Sequence, residues 1–323
     1  MSTHIPAVVT LGESMIRYSP KGFARLEQVQ ELEMRVAGAE SNVAIACARL
    51  GLRASWISKL TNNALGRFLE RSIANHGVDT SHVIWTDQHR VGTYYIEFGS
   101  PPRPTRVLYD RVHSAFSHVE VSEVHWDTIR QADLFHITGI TPALSHSCEA
   151  VTLRAMHEAK DAGVRVSFDV NYRSKLWSST EAAHAKLGEC LGLADMAFIS
   201  VYEAQTVFGL TGAEEDVLRA IRQLGPRTVV LKRADGATAV QESDIQRVGL
   251  YEAQTVDAIG TGDAFAAGFI FGLLTGGAMS LHRALECAAG LAALKRTVPG
   301  DIAAISRAEL EELLQGRSAS IQR

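Results

Sequence analysis

The sequence has few cysteines, and none of them has the spacing of a metal or redox site. Its four cysteines, Cys47, Cys148, Cys190 and Cys287, are spread over 323 residues, and no Cys-x-x-Cys pair occurs. This spacing is typical of reduced thiols that pack as small apolar side chains, and it disfavours a disulfide framework or a zinc site. We therefore expect no structural metal.

Long apolar segments and blocks of like charge are also missing. No run of about 18 uncharged apolar residues occurs, and Met1-Ser-Thr-His-Ile-Pro6 lacks a basic region followed by an apolar core. The formal net charge is −4, with both signs interspersed, which predicts no basic face for nucleic acid. We therefore expect a cytoplasmic protein that binds neither membranes nor nucleic acid.

Several well-known catalytic motifs are absent. The sequence contains no Gly-x-x-x-x-Gly-Lys-Ser/Thr segment, and no Gly-x-Gly-x-x-Gly follows the first predicted strand. The twelve histidines include no His-Glu-x-x-His, and Gly-x-Ser-x-Gly is missing as well. These absences disfavour a P-loop nucleotide-binding protein, a dinucleotide-binding fold, a zinc protease and an α/β-hydrolase.

What the sequence does contain is a regular alternation of β-prone and helical segments. The hydrophobic fraction is 46%, enough for a substantial core. Strands are predicted at residues 7–11, 52–60, 133–138, 164–170, 196–200 and 228–232, and helices at 41–50, 64–76, 145–162, 180–191, 214–224, 262–274, 281–295 and 306–314. Ser41 is a candidate helix cap, Ser306 and Glu309 form a capping box, and residues 315–323 are expected to fray. Such alternation implies a parallel sheet with helices on both faces.

Residues 91–112 interrupt this alternation. Two β-prone runs, at residues 93–98 and 105–111, flank the proline-rich segment 99–104, where the prolines exclude a helix. We interpret this region, together with part of residues 15–36, as a small β-sheet lid. The lid would be inserted into a single α/β domain that spans residues 1–323.

The most informative segment is Asp257-Ala-Ile-Gly-Thr-Gly-Asp263, which an apolar helix follows. We call residues 257–262 the glycine turn. Its glycines allow the backbone to present N–H groups at a helix start, where an anion is favoured. Gly260, Thr261 and Gly262 are therefore candidates to bind a phosphoryl group, and Asp263 is the candidate base for an attacking hydroxyl. An ordinary carboxylate pKa would suffice for that base. The alternative is an ordinary glycine-rich turn with an acidic N-cap.

Four ordered segments of the chain resemble the ribokinase-like (PfkB) carbohydrate kinases. They are Gly38-Ala-Glu-Ser-Asn42, Asp169-Val-Asn-Tyr-Arg173, Val229-Val-Leu-Lys232-Arg-Ala-Asp-Gly236 and the segment from Asp257 to Gly268. The resemblance implies a three-layer α/β fold with a mainly parallel central sheet, and a lid that covers the sugar and often supplies a dimer contact. It also implies ATP and Mg²⁺ as cofactors, with the metal held mainly by the nucleotide phosphates, and a homo-oligomer.

Within this family the chain is most similar to the 2-keto-3-deoxygluconate kinases. The similarity lies in Gly139-Ile-Thr-Pro-Ala-Leu144, in Asp169 to Arg173 with Leu176-Trp177, and in Val107 to Arg111. It implies contacts to the sugar and its carboxylate from Tyr94, Tyr109, Arg111 and Arg173, with Gly38 and Asn42 as the other wall of the pocket.

Arg173 suits this role because it follows a predicted strand end, and guanidinium groups bind carboxylates through paired hydrogen bonds. The alternative for Arg173 is a surface loop arginine. For Tyr94 and Tyr109, the alternative is a place in the core of the lid.

The resemblance also assigns a nucleotide pocket. Lys232 and Gly236 match the segment that leads into it, with Ser200 at another predicted strand end, although a surface lysine is nearly as plausible for Lys232. The family's Asn-x-x-Glu motif, which organises water around magnesium, is Ser200-Val-Tyr-Glu203 in this chain. Glu203 is thus the candidate metal contact, through water, and serine replaces the asparagine. Thr261 and Ala258 also depart from the family pattern, but neither departure removes a backbone donor.

These features predict an ATP-dependent kinase that phosphorylates the terminal hydroxyl of 2-keto-3-deoxy-D-gluconate. The galactonate epimer stays an open alternative, because one inverted hydroxyl can be recognised by a single side chain or water. A kinase for fructose, ribose or a nucleoside also stays an open alternative, although Arg111 and Arg173 argue against it. The alternative from another class is a sugar-sensing binding protein that has lost activity.

Overall fold

The computed structural model describes residues 7–276 and 280–316, in which thirteen strands form two sheets. The strands are β1 (Ala7–Leu11), β2 (Met15–Ser19), β3 (Glu33–Ala37), β4 (Arg53–Thr61), β5 (Val83–Thr86), β6 (Thr93–Glu97), β7 (Arg106–Asp110), β8 (Leu134–Thr138), β9 (Arg165–Asp169), β10 (Met196–Ser200), β11 (Thr228–Arg233), β12 (Gly236–Gln241) and β13 (Asp244–Gly249). Nine of them form the central sheet, in the order β13-β12-β11-β10-β9-β8-β1-β4-β5. The other four form the small sheet, in the order β3-β2-β6-β7.

The central sheet is parallel from β11 to β5 and antiparallel at β12 and β13. Parallel neighbours need long crossover connections, and these are the helices that the alternating sequence pattern predicts. The mainly parallel sheet, its flanking helices and the separate small sheet confirm the predicted fold class.

Ten α-helices lie within the described residues. They are α1 (Ala39–Arg49), α2 (Ala64–Ala74), α3 (Asp127–Arg130), α4 (His146–Asp161), α5 (Thr180–Leu193), α6 (Val201–Phe208), α7 (Glu214–Gln223), α8 (Thr261–Thr275), α9 (Ser280–Arg296) and α10 (Arg307–Leu314). In this part of the chain, no helix has the length and apolar character needed to cross a bilayer.

The helices bury two apolar cores, one on each face of the central sheet. Successive side chains of a strand point to opposite faces, so Val8 and Phe198 join the core under α1, α8 and α9, whereas Val9 and Ile199 join the core under α4 and α5. Phe198 packs edge-on against Phe269 of α8, with ring centroids 5.4 Å apart. This contact packs the middle of α8 against the central sheet.

Some predicted boundaries were wrong. The helix predicted from Ser41 begins at Ala39 with Gly38 as its N-cap, and the Ser41 hydroxyl lies inside the first turn, donating to the Gly38 carbonyl. Helices α3 and α6 and strands β5, β12 and β13 were not predicted. Of the tail predicted to fray, residues 317–323 lie outside the described residues, as do residues 1–6.

Candidate active site

Polar side chains converge where the carboxyl ends of the parallel strands meet the first turns of α1 and α8. Asp169 is the last residue of β9, and Lys232 is the penultimate residue of β11. Asn42 and Asp263 lie near the starts of α1 and α8. Open α/β sheets bind ligands at this edge.

Asp263 is half-buried, and its carboxylate accepts a hydrogen bond of 2.7 Å at Oδ2 from Nδ2 of Asn42. Burial raises its pKa to about 6, and the negative charge of Asp169 acts in the same direction. The Asn42 hydrogen bond and the positive charge of Arg173 oppose that rise. A carboxyl group with this pKa is largely ionised at neutral pH and is a stronger base than an ordinary aspartate.

The glycine turn needs glycine at two positions for different reasons. Gly260 is the N-cap of α8 at φ 81°, and a Cβ atom there would lie 2.0 Å from the carbonyl oxygen of Asp301. Gly262 has nothing within 4 Å of the corresponding position, so its backbone is open to a bound group. The side chain of Thr261 donates to the Ala258 carbonyl at 2.7 Å and stabilises the turn. The first N–H groups of α8 point out of the helix, as an anion site requires.

Lys232 is bound within this cluster. Its ammonium group donates to both carboxylate oxygens of Asp169, at 2.9 and 3.0 Å. Burial opposes its charged form, but the charges of Asp169, Glu203 and Asp263 outweigh burial and raise the pKa of Lys232. Lys232 is therefore not a free surface lysine.

Glu203 caps helix α6. Its Oε2 accepts from the backbone N–H and the hydroxyl of Ser200, both at 2.7 Å, and its Oε1 accepts from the Tyr172 N–H at 2.8 Å. The Ser200 hydroxyl in turn accepts from the Glu203 N–H, which completes a capping box. Ser200 therefore caps the start of α6. Among the described residues, no group of three or more His, Cys, Asp or Glu side chains is arranged to hold a metal ion.

The two candidate carboxylate-binding arginines have different surroundings. Arg111 is buried and directs Nε and Nη2 to one oxygen of Glu13, the first of them at 2.8 Å. Glu13 therefore occupies one edge of the Arg111 guanidinium, and the predicted contact of Arg111 with a substrate carboxylate stays a prediction. Arg173 is exposed, and its bond to the Tyr172 carbonyl is long, at 3.4 Å. Arg173 is thus the more available cation.

The two tyrosines of the small sheet also differ. Tyr94 is buried, and its hydroxyl donates to Oδ2 of Asp301 at 2.6 Å, which agrees with the alternative that it belongs to the lid core. Tyr109 is 48% exposed, with its ring centroid 5.7 Å from that of Tyr94. Tyr109 is therefore the more accessible of the two tyrosines, with the Arg111 guanidinium 5.8 Å from its ring centroid.

The two remaining candidate glycines occupy crowded backbone positions. A Cβ atom on Gly38 would lie 2.4 Å from the Glu13 carbonyl oxygen, so Gly38 lets the segment between β1 and β2 approach the start of α1. Gly236 has φ 153°, and a Cβ atom there would lie 2.1 Å from the Val248 carbonyl oxygen. The pairing of β12 with β13 accounts for Gly236 without a nucleotide.

Sequence reasoning missed Glu40, which lies behind Asn42 and is wholly buried. Its Oε1 accepts from the N–H and the hydroxyl of Thr138, at 3.1 and 2.8 Å, and from the hydroxyl of Thr141 at 2.8 Å. Burial raises its pKa to about 7, against these hydrogen bonds. The signal was present, because Glu40 and Thr141 both lie in the segments that carry the family resemblance.

Sequence reasoning also missed the buried ion pairs of Arg17. Its guanidinium donates to Asp257 at 2.7 Å and to Asp301 at 2.6 Å, beneath the glycine turn. No motif contains all three residues, so no local pattern could have joined them.

Known proteins resemble this chain over nearly its whole length. A family model described as pfkB family carbohydrate kinase matches residues 6–308. A 2-dehydro-3-deoxygalactonokinase from Haloferax volcanii is 41% identical over 321 residues, covering 98% of this chain and 99% of that protein. A 2-dehydro-3-deoxygluconokinase from Bacillus subtilis is 33% identical over 302 residues, covering 91% and 90%. Among solved structures, a 2-dehydro-3-deoxygluconokinase from Thermotoga maritima aligns with a TM-score of 0.91 at 31% identity, covering 97% and 99%.

Proposed function

Because the chain belongs to the pfkB family of carbohydrate kinases, we propose that it transfers the γ-phosphoryl group of ATP to the terminal hydroxyl of a 2-keto-3-deoxy sugar acid. The gluconate epimer, which the sequence predicts, is the first candidate substrate. The galactonate epimer is the second, because the relative from Haloferax volcanii, 41% identical, is a 2-dehydro-3-deoxygalactonokinase. The prefixes 2-keto and 2-dehydro describe the same oxo group.

One observation carries the proposal: Asp263 lies in the first turn of α8 directly after Gly262, which has nothing within 4 Å of its Cβ position. Asn42 binds Oδ2 of Asp263, which leaves Oδ1 to accept the proton of the sugar hydroxyl. As that proton leaves, the hydroxyl oxygen bonds to the γ-phosphorus, and the bond to ADP breaks. The turn and the positive end of the α8 dipole stabilise the negative charge on the transferring group.

The nucleotide would enter beside Lys232, with Ser200 and Gly236 as the other predicted contacts. Magnesium, when bound, neutralises charge on the phosphates of the nucleotide. Asp169 and Glu203 provide the oxygen donors that this ion prefers, and Glu203 would act through a water molecule because its carboxylate already caps α6. This donor set fits a metal held mainly by the phosphates.

The acid group of the sugar would bind Arg173. This guanidinium is exposed, and its positive charge opposes the rise in the pKa of Asp263, which supports a position near the base. Tyr109 would cover the sugar, and the small sheet would act as a lid. Arg111 stays a candidate contact, with Glu13 fixing its orientation.

We also propose that the outer face of the small sheet pairs with a second copy of the chain. Met34, Tyr18, Tyr95 and Leu108 form one cross-strand row, in register on β3, β2, β6 and β7. Met34 is 38% exposed and Leu108 58% exposed, and the two tyrosine rings stack at 5.4 Å. Contiguous exposed apolar rows of this kind are typical of interfaces. Light scattering of Leu108→Lys should show a smaller oligomer than wild type. An unchanged mass would exclude this surface as the interface between copies.

A coupled assay of ADP release tests the proposed activity. Both epimers of the sugar acid, fructose and ribose are supplied in turn with ATP and magnesium. We expect turnover with one or both acids and little with the neutral sugars. Turnover confined to a neutral sugar would favour the neutral-sugar kinase, and sugar binding without ADP release would favour the non-catalytic relative. The single-domain organisation and the cytoplasmic location stay predictions.

A further inference from the structure

Arg17 is a charged side chain in the interior of the molecule, 1% exposed. It lies on β2 of the small sheet and donates from Nη2 to Oδ2 of Asp257 at 2.7 Å and from Nη1 to Oδ1 of Asp301 at 2.6 Å. Removing three charges from water is expensive, so such a group persists only where the geometry is close and each charge is paired. Lys295 completes the charge balance, donating to the Asp257 carbonyl at 2.9 Å.

Both aspartates contact the glycine turn, Asp257 through its carboxylate and Asp301 through its backbone. Oδ1 of Asp257 accepts from the Ile259 N–H, and Oδ2 accepts from the Gly300 N–H, each at 3.0 Å. The backbone of Asp301 lies against Gly260, where a Cβ atom would be 2.0 Å from its carbonyl oxygen. The position of Gly260 therefore depends on where Asp257 and Asp301 are held.

A second link from the small sheet reaches the same place. Tyr94 of β6 is the register partner of Arg17 and donates its hydroxyl to the other oxygen of Asp301, at 2.6 Å. Arg17 and Tyr94 thus hold one carboxylate from two neighbouring strands. The Phe98 ring, 5.1 Å from the Arg17 guanidinium, covers this cluster.

We propose that Arg17 and Tyr94 are positioning residues, which hold the glycine turn in its phosphoryl-binding geometry from the inner face of the small sheet. The inference rests on the proposed function of the turn. It changes the role of Tyr94: its hydroxyl acts on the turn through Asp301, whereas the sequence interpretation made it a sugar contact. A misplacement of the turn lowers transition-state stabilisation more than it lowers sugar affinity, so the effect belongs in kcat.

Tyr94→Phe is the decisive variant, because it keeps the ring and removes the hydroxyl that Asp301 accepts. Steady-state kinetics with the sugar that wild type phosphorylates fastest should show kcat reduced about tenfold and KM for the sugar changed less than about twofold. Tyr251→Phe, at a tyrosine outside both sheets, is the control and should retain the wild-type kcat. Choosing the sugar by wild-type turnover keeps this test separate from the identity of the substrate.

A double-mutant cycle then asks whether Tyr94 acts through Asp301. Asp301→Asn and Tyr94→Phe should lower kcat non-additively, with the double variant close to Asp301→Asn alone. Arg17→Lys keeps the charge but loses the two-pronged guanidinium, and should also lower kcat at unchanged KM for the sugar.

Hydrogen exchange gives a readout that needs no substrate. In Tyr94→Phe the amides of residues 257–263 should exchange faster than in wild type, and those of α4 should not. A raised KM at unchanged kcat would make Tyr94 a sugar contact and overturn the proposal. The proposal would also be overturned if kcat and the exchange of the turn amides were both unchanged. An unchanged kcat with only a lower melting temperature would overturn it as well.

Discussion

The side-chain amide of Asn42 donates a hydrogen bond of 2.7 Å to Oδ2 of Asp263 and so joins the first turns of α1 and α8. The two residues are 221 positions apart in the sequence. The bond fixes the orientation of the carboxyl group and leaves one oxygen for a substrate. It also lowers a pKa that burial raises, so one contact affects both the geometry and the protonation of the proposed base.

Replacement of Asp263 by asparagine should leave the fold intact and reduce turnover. Loss of a general base typically costs a factor of about 10² to 10⁴, and kcat in the ADP-release assay should fall within that range. The melting temperature at pH 8 should equal or exceed that of wild type, because asparagine removes a buried charge from this site. Near-normal turnover would exclude Asp263 from the mechanism.

The activity should depend on pH through the same carboxyl group. A base must be ionised, and burial raises the pKa of Asp263 to about 6, so kcat/KM should fall as the pH drops through that value. Asn42→Leu removes a hydrogen bond that favours the ionised form, and should move the inflection to higher pH. An inflection at the ordinary aspartate value, unmoved in Asn42→Leu, would contradict this account.

Two glycine substitutions in the same turn should have opposite effects on stability. Gly260→Ala introduces a Cβ atom at φ 81° and 2.0 Å from the Asp301 carbonyl oxygen, and should lower the melting temperature strongly. Gly262→Ala meets nothing within 4 Å and should stabilise α8 by about 0.5–1 kcal/mol. Its Cβ atom would nevertheless obstruct a phosphate at the turn, so we expect a stable protein with low kcat. Full activity of Gly262→Ala would argue against phosphoryl binding there.

Glu40 should make the stability of the protein depend on pH. Burial raises its pKa from 4.5 to about 7, so the unfolded chain ionises first, and Glu40 disfavours the fold increasingly as the pH rises from 4.5 to 7. Glu40→Gln keeps an oxygen for Thr138 and Thr141 without the charge. The variant should melt above wild type at pH 8.5 and close to it at pH 5, as calorimetry at both values would show. A variant that melts lower at both pH values would mean that the ionised carboxylate stabilises the fold.

Arg173 should determine affinity for the acid group of the sugar. Arg173→Ala should raise KM for the sugar acid by about 10- to 100-fold, because a charge-assisted pair contributes about 1.5–3 kcal/mol. Arg173→Lys should be intermediate, since an ammonium cannot make two parallel bonds to a carboxylate. Arg219→Ala, at an exposed arginine of α7, is the control. An unchanged KM in Arg173→Ala would favour a neutral sugar as the substrate.

Much of the fold could be predicted because its information is local. Strand β10 was predicted at its observed bounds from apolar residues in sequence, and α7 from its apolar periodicity and the glycine that follows it. Helix α6 could have been predicted as well. The Ser-x-x-Glu spacing that identified the capping box at Ser306 also occurs at Ser200, where the family resemblance directed attention to magnesium instead.

The contacts of the candidate site could be predicted less well, because they join residues that no local pattern connects. The sequence identified Arg111 as a candidate carboxylate contact but gave no sign that Glu13 lies against it. Gly236 looked like part of a nucleotide pocket, although a close approach of β13 is enough to require glycine there. Partners far apart in sequence decide which charges remain available, and only the folded structure supplies them.

The ion pairs of Arg17 reach Asp257 and Asp301, 240 and 284 positions further along the chain. A ribosome that has made the first 250 residues has therefore completed every strand of the small sheet, but neither carboxylate that Arg17 binds. Until Asp257 and Asp301 have been made, the Arg17 guanidinium has only water in place of these two partners, and Gly260 does not yet exist. If Arg17 and Tyr94 hold the glycine turn as proposed, a nascent chain that stops before Asp301 lacks the group that they bind and should not phosphorylate sugar.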